Sequence, residues 1–339
     1  MFNLRPAKLS DIEDLFALSQ HYVFISLPSD KELITKKVKS SISAFKKASK
    51  DISEDTYIFV LEDLSKSKVI GCSMIHAQHG TEDEPHFFLT VSQENKFSES
   101  INTGFIHGTL KLGYDTDGPT EIGGLILDPN YRNNTHKLGK QLSFVRFLYM
   151  ALNKKRFKEM IHSELMPPFD KDGRSPLWEA IGRRFLNMEY HDADLLSRSN
   201  KEFILSLYPS DTIYETLLPL EARNAIGKVG QDTQPVKRML ESIGFKYTKE
   251  VDPFDGGPHY RAKLGEIKPV QELKELELSF EQDIKKDDAL NYLVCPTEGD
   301  VFNAIKITGK IKGAKLLTSM KELENLNFTN KTKVNVIPL

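Results

Sequence analysis

Cysteine is almost missing from this chain: 339 residues hold only Cys72 and Cys295. Neither belongs to a C-x-x-C pair or to a Cys/His cluster with zinc-ligand spacing, so a disulfide scaffold is excluded, the thiols read as reduced, and no metal site is expected. A dominant charge sign is missing too. The 46 basic residues nearly balance 48 acidic ones, leaving a net charge of -2, so no global field draws the protein onto nucleic acid or an anionic membrane. Long apolar runs are also absent. The opening MFNLRPAKLSDIEDLF has no signal-peptide core, and the most apolar helical stretch, FVRFLYMAL, is short and carries Arg146. Nothing spans a bilayer on this reading, and a cytoplasmic location is expected. The G-x-x-x-x-G-K-[ST] and G-x-G-x-x-G signatures do not occur, which removes a P-loop nucleotidase and a Rossmann dinucleotide site.

What is present is a chain with a core to bury. Hydrophobic residues make up 39% and charged residues 28%, in a length suited to two domains or to one enzyme-sized domain with an appendage. Residues 2–7 read as a short strand. Ser10 and Asp11 then cap the amphipathic run DIEDLFALSQ, and after a break at SLPSD (26–30) comes a second, very basic helix. YIFVLED (57–63) and KVIGCSMIHAQ (68–78) form a hairpin, whereas 80–118 offers only short alternating pieces. The helical runs ending at Gly182 and Gly244 echo each other, with both glycines expected in left-handed conformation after a helix. The organisation expected is a main domain over 1–265, a charged linker or helix over 266–287, and a small C-terminal β module over 288–339.

Residues 120–156 carry the chemistry. TEIGGLILDP reads as a strand ending at Asp128-Pro129, NYRNNTHK as a polar loop, and a long helix opens near Leu138 with Lys-Leu-Gly-Lys. Unpaired amides and the macrodipole at such a helix start favour an anion, and a phosphate suits it.

This strand, loop and helix resemble the acyl-CoA-binding segment of the GNAT superfamily of N-acyltransferases, where a P-x-Y-R-G-x-G-x-G loop cradles the CoA pyrophosphate. LRPAKLSDIEDL, SLP, IFVLED, LILDPNYR, RSPLWEAIGRRFLNMEYHDAD and D-x-FDGGP (Asp252 to Pro258) are similar, in the same order, to the arginine N-succinyltransferase family. The resemblance covers residues 2–262. It implies an α+β fold with a GNAT-like twisted mixed sheet flanked by helices, an insertion at about 166–234, and the β module at the end. It also implies transfer of succinyl from succinyl-CoA, or of another acyl group from its CoA ester, to the α-amino group of L-arginine or a similar amine. No prosthetic group is implied, and homo- or hetero-oligomerisation stays open. By the same resemblance Glu121 is the base. Leu125 offers strand backbone to the CoA. The main chains of Lys137, Leu138, Gly139 and Lys140 meet the pyrophosphate, with Arg132, His136 or Lys140 adding charge. Glu164 and Asp255 receive the cationic acceptor, Asp255 having a second reading as a turn residue ahead of Gly256-Gly257.

Departures from the family pattern are concentrated around that chemistry. The loop after Tyr131-Arg132 is longer and poorer in glycine. The family's I-G-x-V-H-P histidine, a proton donor, is Gly230 here. Met166 stands where the family has Arg, and Leu89-Thr90 where it has Tyr-Arg. Two alternatives therefore remain open: an N-acyltransferase with a different acyl group or acceptor, and a non-catalytic subunit that partners an active homologue.

Overall fold

The computed structural model describes residues 1–21, 27–197, 200–281, 289–299, 301–319 and 329–339. In chain order its strands are β1 (Phe2–Pro6), β2 (Thr56–Asp63), β3 (Lys68–His76), β4 (His86–Ser98), β5 (Thr103–Asp115), β6 (Thr120–Leu127), β7 (Met160–Glu164), β8 (Ile213–Tyr214), β9 (Lys246–Val251), β10 (Pro258–Lys263), β11 (Lys274–Phe280), β12 (Leu290–Pro296), β13 (Ile305–Lys312), β14 (Lys315–Thr318) and β15 (Lys333–Pro338). Two compact units result, one of Met1–Ala77, Ile122–Glu159 and Lys263–Leu339, the other of Gln78–Glu121 and Met160–Ala262. Among the described residues no helix is long and apolar enough to cross a membrane.

In the first unit the strands run β1-β2-β3-β6, with β1, β2 and β3 antiparallel. Helices α1 (Ile12–Ser19), α2 (Lys31–Lys46) and α3 (Leu138–Leu152) accompany them. The basic helix α2 starts where Asp30 accepts the amides of Glu32 and Leu33, satisfying donors that the first turn leaves open. Its Ile34, Val38, Ser41 and Ala44 are buried at helical spacing, which leaves the lysines in solvent. α3 is buried almost all round. Its Arg146 is held by carbonyls rather than a carboxylate: Nε donates to Ser143 O, Nη1 to Gly123 O and Nη2 to Ser143 Oγ. β3 comes close to β6 because Gly71 has no side chain; a Cβ there would sit 2.7 Å from the Ile126 carbonyl.

A closed five-stranded barrel, β11-β14-β13-β12-β15, completes this unit. It changes the expected boundary, since β11 lies inside the segment read as a linker. Lys274-Glu275-Leu276-Glu277-Leu278 is highly charged, yet Leu276 and Leu278 are buried in the barrel core and the intervening residues face outward, the period of two that a strand requires. Residues 282–287 of the expected linker lie outside the described residues, as does Ser26 of the expected break.

The second unit orders its strands β7-β10-β9-β4-β5-β8, and the first two residues of β6 join it by parallel pairing, Thr120 with Ile161 and Glu121 with His162. The stretch 80–118 is one long hairpin of two 13-residue strands, β4 and β5. Short helices pack around Trp178, Leu177, Ile181 and Phe254. Trp178 is a core residue whose Nε1 donates to Met188 O. Gly244 has the expected positive φ of 115°. Gly182 does not: it begins a second short helix, Gly182–Leu186, and is glycine because a Cβ would lie 2.2 Å from the Trp178 ring.

Candidate functional site

Strand ends in the second unit bring together carboxylates and imidazoles that lie far apart in sequence. Glu121 opens β6, and its Oε2 lies 2.8 Å from His79 Nδ1, the two side chains 15% and 29% exposed. Backbone geometry pins His79: its amide donates to Pro119 O at 2.8 Å, and Gly118 passes so close that a Cβ would overlap the His79 carbonyl, at 1.8 Å. At this separation the imidazole and the carboxylate are within hydrogen-bond reach of each other.

Glu164 ends β7. Its Oε1 lies 3.3 Å from His162 Nε2, 3.6 Å from His259 Nε2 and 3.8 Å from His86 Nδ1. His86 opens β4 and His259 follows Pro258 on β10. All three rings are buried. Burial drives the pKa of His86 and of His162 well below the ordinary histidine value, and neighbouring histidines push the same way. His259 is also lowered by burial, with Glu250 opposing. These imidazoles are therefore neutral near pH 7. Arg261 Nε donates to His162 Nδ1 at 3.2 Å, and Arg261 Nη2 lies 3.0 Å from Glu250.

Desolvation, followed by Glu121, Asp252 and Asp255, raises the Glu164 carboxyl well above its usual range. A third of the side chain still meets solvent, which moderates that rise. Asp255 is raised in the same direction by desolvation and by Asp252, against the Gly257 amide that donates to its Oδ1 at 2.7 Å. Asp252 Oδ1 accepts from the amides of Phe254 and Asp255. The turn reading of Asp255 is thus present in the structure, where the carboxylate caps the turn and is also desolvated. The two glycines of that turn have separate reasons. Gly256 has φ 80°, and a Cβ on Gly257 would lie 2.6 Å from the Leu165 carbonyl.

The departures from the family pattern have a shared geometry. The Gly230 amide donates to Met166 O at 2.8 Å. A Cβ at Gly230 would stand 2.8 Å from Pro167 O and 3.2 Å from its carbon, so no open pocket faces this position; the main chain of residues 166–167 fills it. Thr90 is exposed on β4, where it pairs with Glu250 of β9, and Leu89 is buried in the core.

The polar loop belongs to the first unit. Leu125 follows Gly124, whose φ is 56°, so the extended course of β6 breaks just before it. Asn133 and Lys137 both take left-handed conformations, φ 55° and 53°, at places where glycine would be unstrained. The five amides from His136 to Lys140 differ in what they do. His136 N donates to Asn134 Oδ1, Lys137 N to Asn134 O, and Lys140 N to Lys137 O. Leu138 and Gly139, the first two residues of α3, keep amides with no partner among the described residues. A Cβ at Gly139 would meet nothing within 4 Å, so space in front of this helix start is open. Arg132, His136 and Lys137 are exposed beside it. His136 packs edge-on against Phe2, and Lys140 Nζ lies 4.8 Å over the Phe144 ring.

Sequence reasoning named Glu121 as base and Glu164 and Asp255 as receivers of a cation, and noted His259; the structure places all four in the second unit. It did not single out His79, His86 or His162. His79, in the loop after β3, and His86, opening β4, carry no spacing signal and are gathered only by the fold, whereas His162 stands two residues before Glu164 on β7, the spacing that puts two side chains on one face of a strand.

Comparison with known proteins follows this geometry. A sequence profile described as "Arginine N-succinyltransferase beta subunit" matches residues 2–269, and one for the C-terminal domain of the same subunit matches 274–338. Arginine N-succinyltransferase of Yersinia pseudotuberculosis serotype O:3 is 32% identical, covering 100% of this chain and 98% of the relative. The protein of that name from Photorhabdus laumondii is 29% identical with the same coverage. Among solved structures, arginine/ornithine succinyltransferase subunit AI from Pseudomonas aeruginosa superposes with a TM-score of 0.84 at 24% identity, covering 100% of this chain and 98% of that one.

Proposed function

The chain belongs to the arginine N-succinyltransferase family, and on that premise we propose that it is an acyltransferase moving succinyl from succinyl-CoA to the α-amino group of L-arginine. The observation that carries this reading is the acidic cluster. Glu164 and Asp255 are both held above the ordinary carboxylate range by desolvation and by carboxylates around them, a burden that a bound cationic amino acid relieves by pairing with their ionised forms.

In this reading the CoA pyrophosphate rests on the amides of Leu138 and Gly139, with Arg132, His136, Lys137 and Lys140 supplying side-chain charge. Leu125 offers main chain to the pantetheine arm. Glu121, with His79 against it, takes a proton from the arginine ammonium. The freed amine attacks the thioester carbon, the carbon–sulfur bond breaks with its electron pair leaving on sulfur, and the nitrogen releases its second proton to water or to the departing thiolate as the amide forms. A thiol with a pKa of about 8.5 departs readily as thiolate, so a chain with Gly230 in place of a donor histidine retains a workable leaving step. Glu164 and Asp255 hold the acceptor's positive charge.

The test is thiol release with succinyl-CoA and L-arginine, alongside thermal unfolding with CoA alone. Arginine-dependent release supports the proposal. Release with a different acyl-CoA or amine points to a drifted acyltransferase. Stabilisation by CoA without turnover on any pair identifies a binding-only subunit, because a ligand of the native state must raise its stability.

A further inference from the structure

We propose that His86, His162, His259 and Glu164 form a binding site for a first-row divalent cation, with Zn²⁺ the best-suited ion. The four residues each present one donor atom, all within 4.8 Å of one another. The donor chemistry is three imidazole nitrogens and one carboxylate oxygen, a set that suits borderline-soft ions. Zinc bonds of about 2.0–2.1 Å in a tetrahedron place neighbouring donors roughly 3.3 Å apart. The separations from Glu164 Oε1 to the three nitrogens are 3.3, 3.6 and 3.8 Å, so these three edges close by a few tenths of an ångström, while the donor set as a whole, spread within 4.8 Å, must draw in around the ion.

Simple aromatic packing of neutral histidines is the competing explanation, and the hydrogen-bond inventory argues against it. His259 Nε2, the nitrogen that faces Glu164, is buried without a hydrogen-bond partner among the described residues, and so are two nitrogens on the far sides of their rings, His259 Nδ1 and His86 Nε2. For His259 the nearest carboxylate oxygens stand at 3.6 Å on the Nε2 side and 3.9 Å on the Nδ1 side. Buried polar atoms are rarely left this way without a ligand to satisfy them. The ring centroids lie 4.7–5.2 Å apart, so three nitrogen-bearing rings crowd one carboxylate on β7. An outer shell is present as well: Glu250 faces His259 Nδ1, as carboxylates do behind metal-bound histidines. His162 changes most on loading. Its Nδ1 accepts from Arg261, which places the ring proton on Nε2, so ligation through Nε2 requires that proton to move to Nδ1 and Arg261 Nε to turn to another acceptor, the imidazole staying neutral.

This inference alters the acyl-transfer reading at one residue, Glu164, and its test is bound metal and not turnover, so the two fail separately. It assigns Glu164 to the ion, leaving Asp255 as the cationic acceptor's partner. The protein, full length and free of any histidine tag, is stripped with chelator, exchanged into Zn²⁺, freed of loose metal and analysed for bound zinc and for melting temperature. One zinc per chain is expected, with a higher melting temperature in zinc than in chelator. His259→Ala and Glu164→Gln are each expected to weaken zinc binding by at least tenfold and to abolish the thermal response, while His191→Ala, an exposed histidine elsewhere, binds as the parent does. Should His259→Ala fail to fold, Glu164→Gln, altered at a partly exposed side chain, decides the matter. Co²⁺ in place of Zn²⁺ is expected to give the intense visible bands of a tetrahedral site. No zinc bound by the parent protein, or equal affinity in the parent and in Glu164→Gln, overturns the proposal.

Discussion

Gly230→His restores the family's histidine on paper, and the structure predicts damage. The backbone at Gly230, φ -60° and ψ 155°, suits any L-residue, so there is no conformational obstacle. The obstacle is space, because the new Cβ arrives 2.8 Å from Pro167 O and 3.2 Å from Pro167 C. Both are main-chain atoms, and the Gly230–Met166 hydrogen bond holds the two segments at that distance. Forcing a side chain into packed surroundings costs about 1–3 kcal/mol. Removing a glycine returns about 0.4–1 kcal/mol through the unfolded state, so Gly230→Ala is expected to lose at most about 2.6 kcal/mol. The histidine variant, with a ring still to place, is expected at the upper part of the range. At roughly 2–4 °C per kcal/mol for domains of 150–250 residues, its melting temperature falls by several degrees. Thiol release is not accelerated, because the imidazole enters only by displacing residues 166–167. Differential scanning calorimetry and a thiol-release assay on parent, Gly230→Ala and Gly230→His check this. A histidine variant that melts with the parent and transfers acyl groups faster would show the reasoning to be wrong.

Glu121→Gln removes the proton acceptor while keeping its shape, and kcat/KM is expected to fall about 10²- to 10⁴-fold, with the alkaline rise of the pH–rate profile altered; unchanged rates would rule out Glu121 as the base. Lys140→Ala is expected to raise KM for acyl-CoA about tenfold or more, the scale of a charged hydrogen bond, with kcat held and the effect shrinking in salt. Asp255→Asn addresses pH. The folded-state pKa of Asp255 is raised, so the native state binds more protons than the unfolded chain, and this residue's contribution to stability declines as pH rises past the ordinary carboxylate value of about 4. The variant is expected to flatten that decline and to melt higher than the parent at neutral pH, read by thermal unfolding across pH without ligand. For specificity, each arginine absent at Met166 and Thr90 removes roughly 1.5–3 kcal/mol of carboxylate recognition. The chain is therefore expected to discriminate weakly either between succinyl-CoA and acetyl-CoA or between arginine and agmatine, and strong preference in both comparisons would contradict this.

The segment from β6 into α3 was legible because each local signal agreed with the next. An apolar strand stops at Asp128-Pro129, a polar loop follows, and a helical period begins at Leu138, where α3 starts. The β4–β5 hairpin was not legible. Phe97, Ile101, Phe105 and Ile106 are all exposed there, so the contrast between an inner and an outer face that reveals a strand is missing. β11 was hidden for the opposite reason, its buried leucines diluted by lysines and glutamates that made the window look like linker. Gly182 shows a limit of local rules. A glycine near a helix end has a standard capping interpretation, but the Trp178 ring that excludes a side chain is a packing fact. The loop before α3 was read as converging amides from Lys137 to Lys140, but those of Lys137 and Lys140 are spent on neighbouring carbonyls, leaving those of Leu138 and Gly139.

The two departures that most threatened the functional reading are a single structural event. Met166 and Gly230 are joined main chain to main chain, and the carbonyl of Pro167 occupies the volume a side chain at 230 would need. An arginine at 166 and a histidine at 230 thus vanish together from one place, and that place is closed by backbone. The carboxylates keep their posts nearby: Glu164 sits two residues before Met166, and Gly257, which bonds Asp255, packs against the Leu165 carbonyl. Had the chain lost its chemistry wholesale, the desolvated acids would have been the first groups to go, since each burdens the fold unless a cation arrives. Their persistence, together with a helix start whose first two amides are unspent, favours a family member that still handles an acyl-CoA and a cation. On the proposed reading, what differs at the closed 166–167 corner is one carboxylate-recognising contact and one proton donor, the features a change of acyl group or acceptor involves.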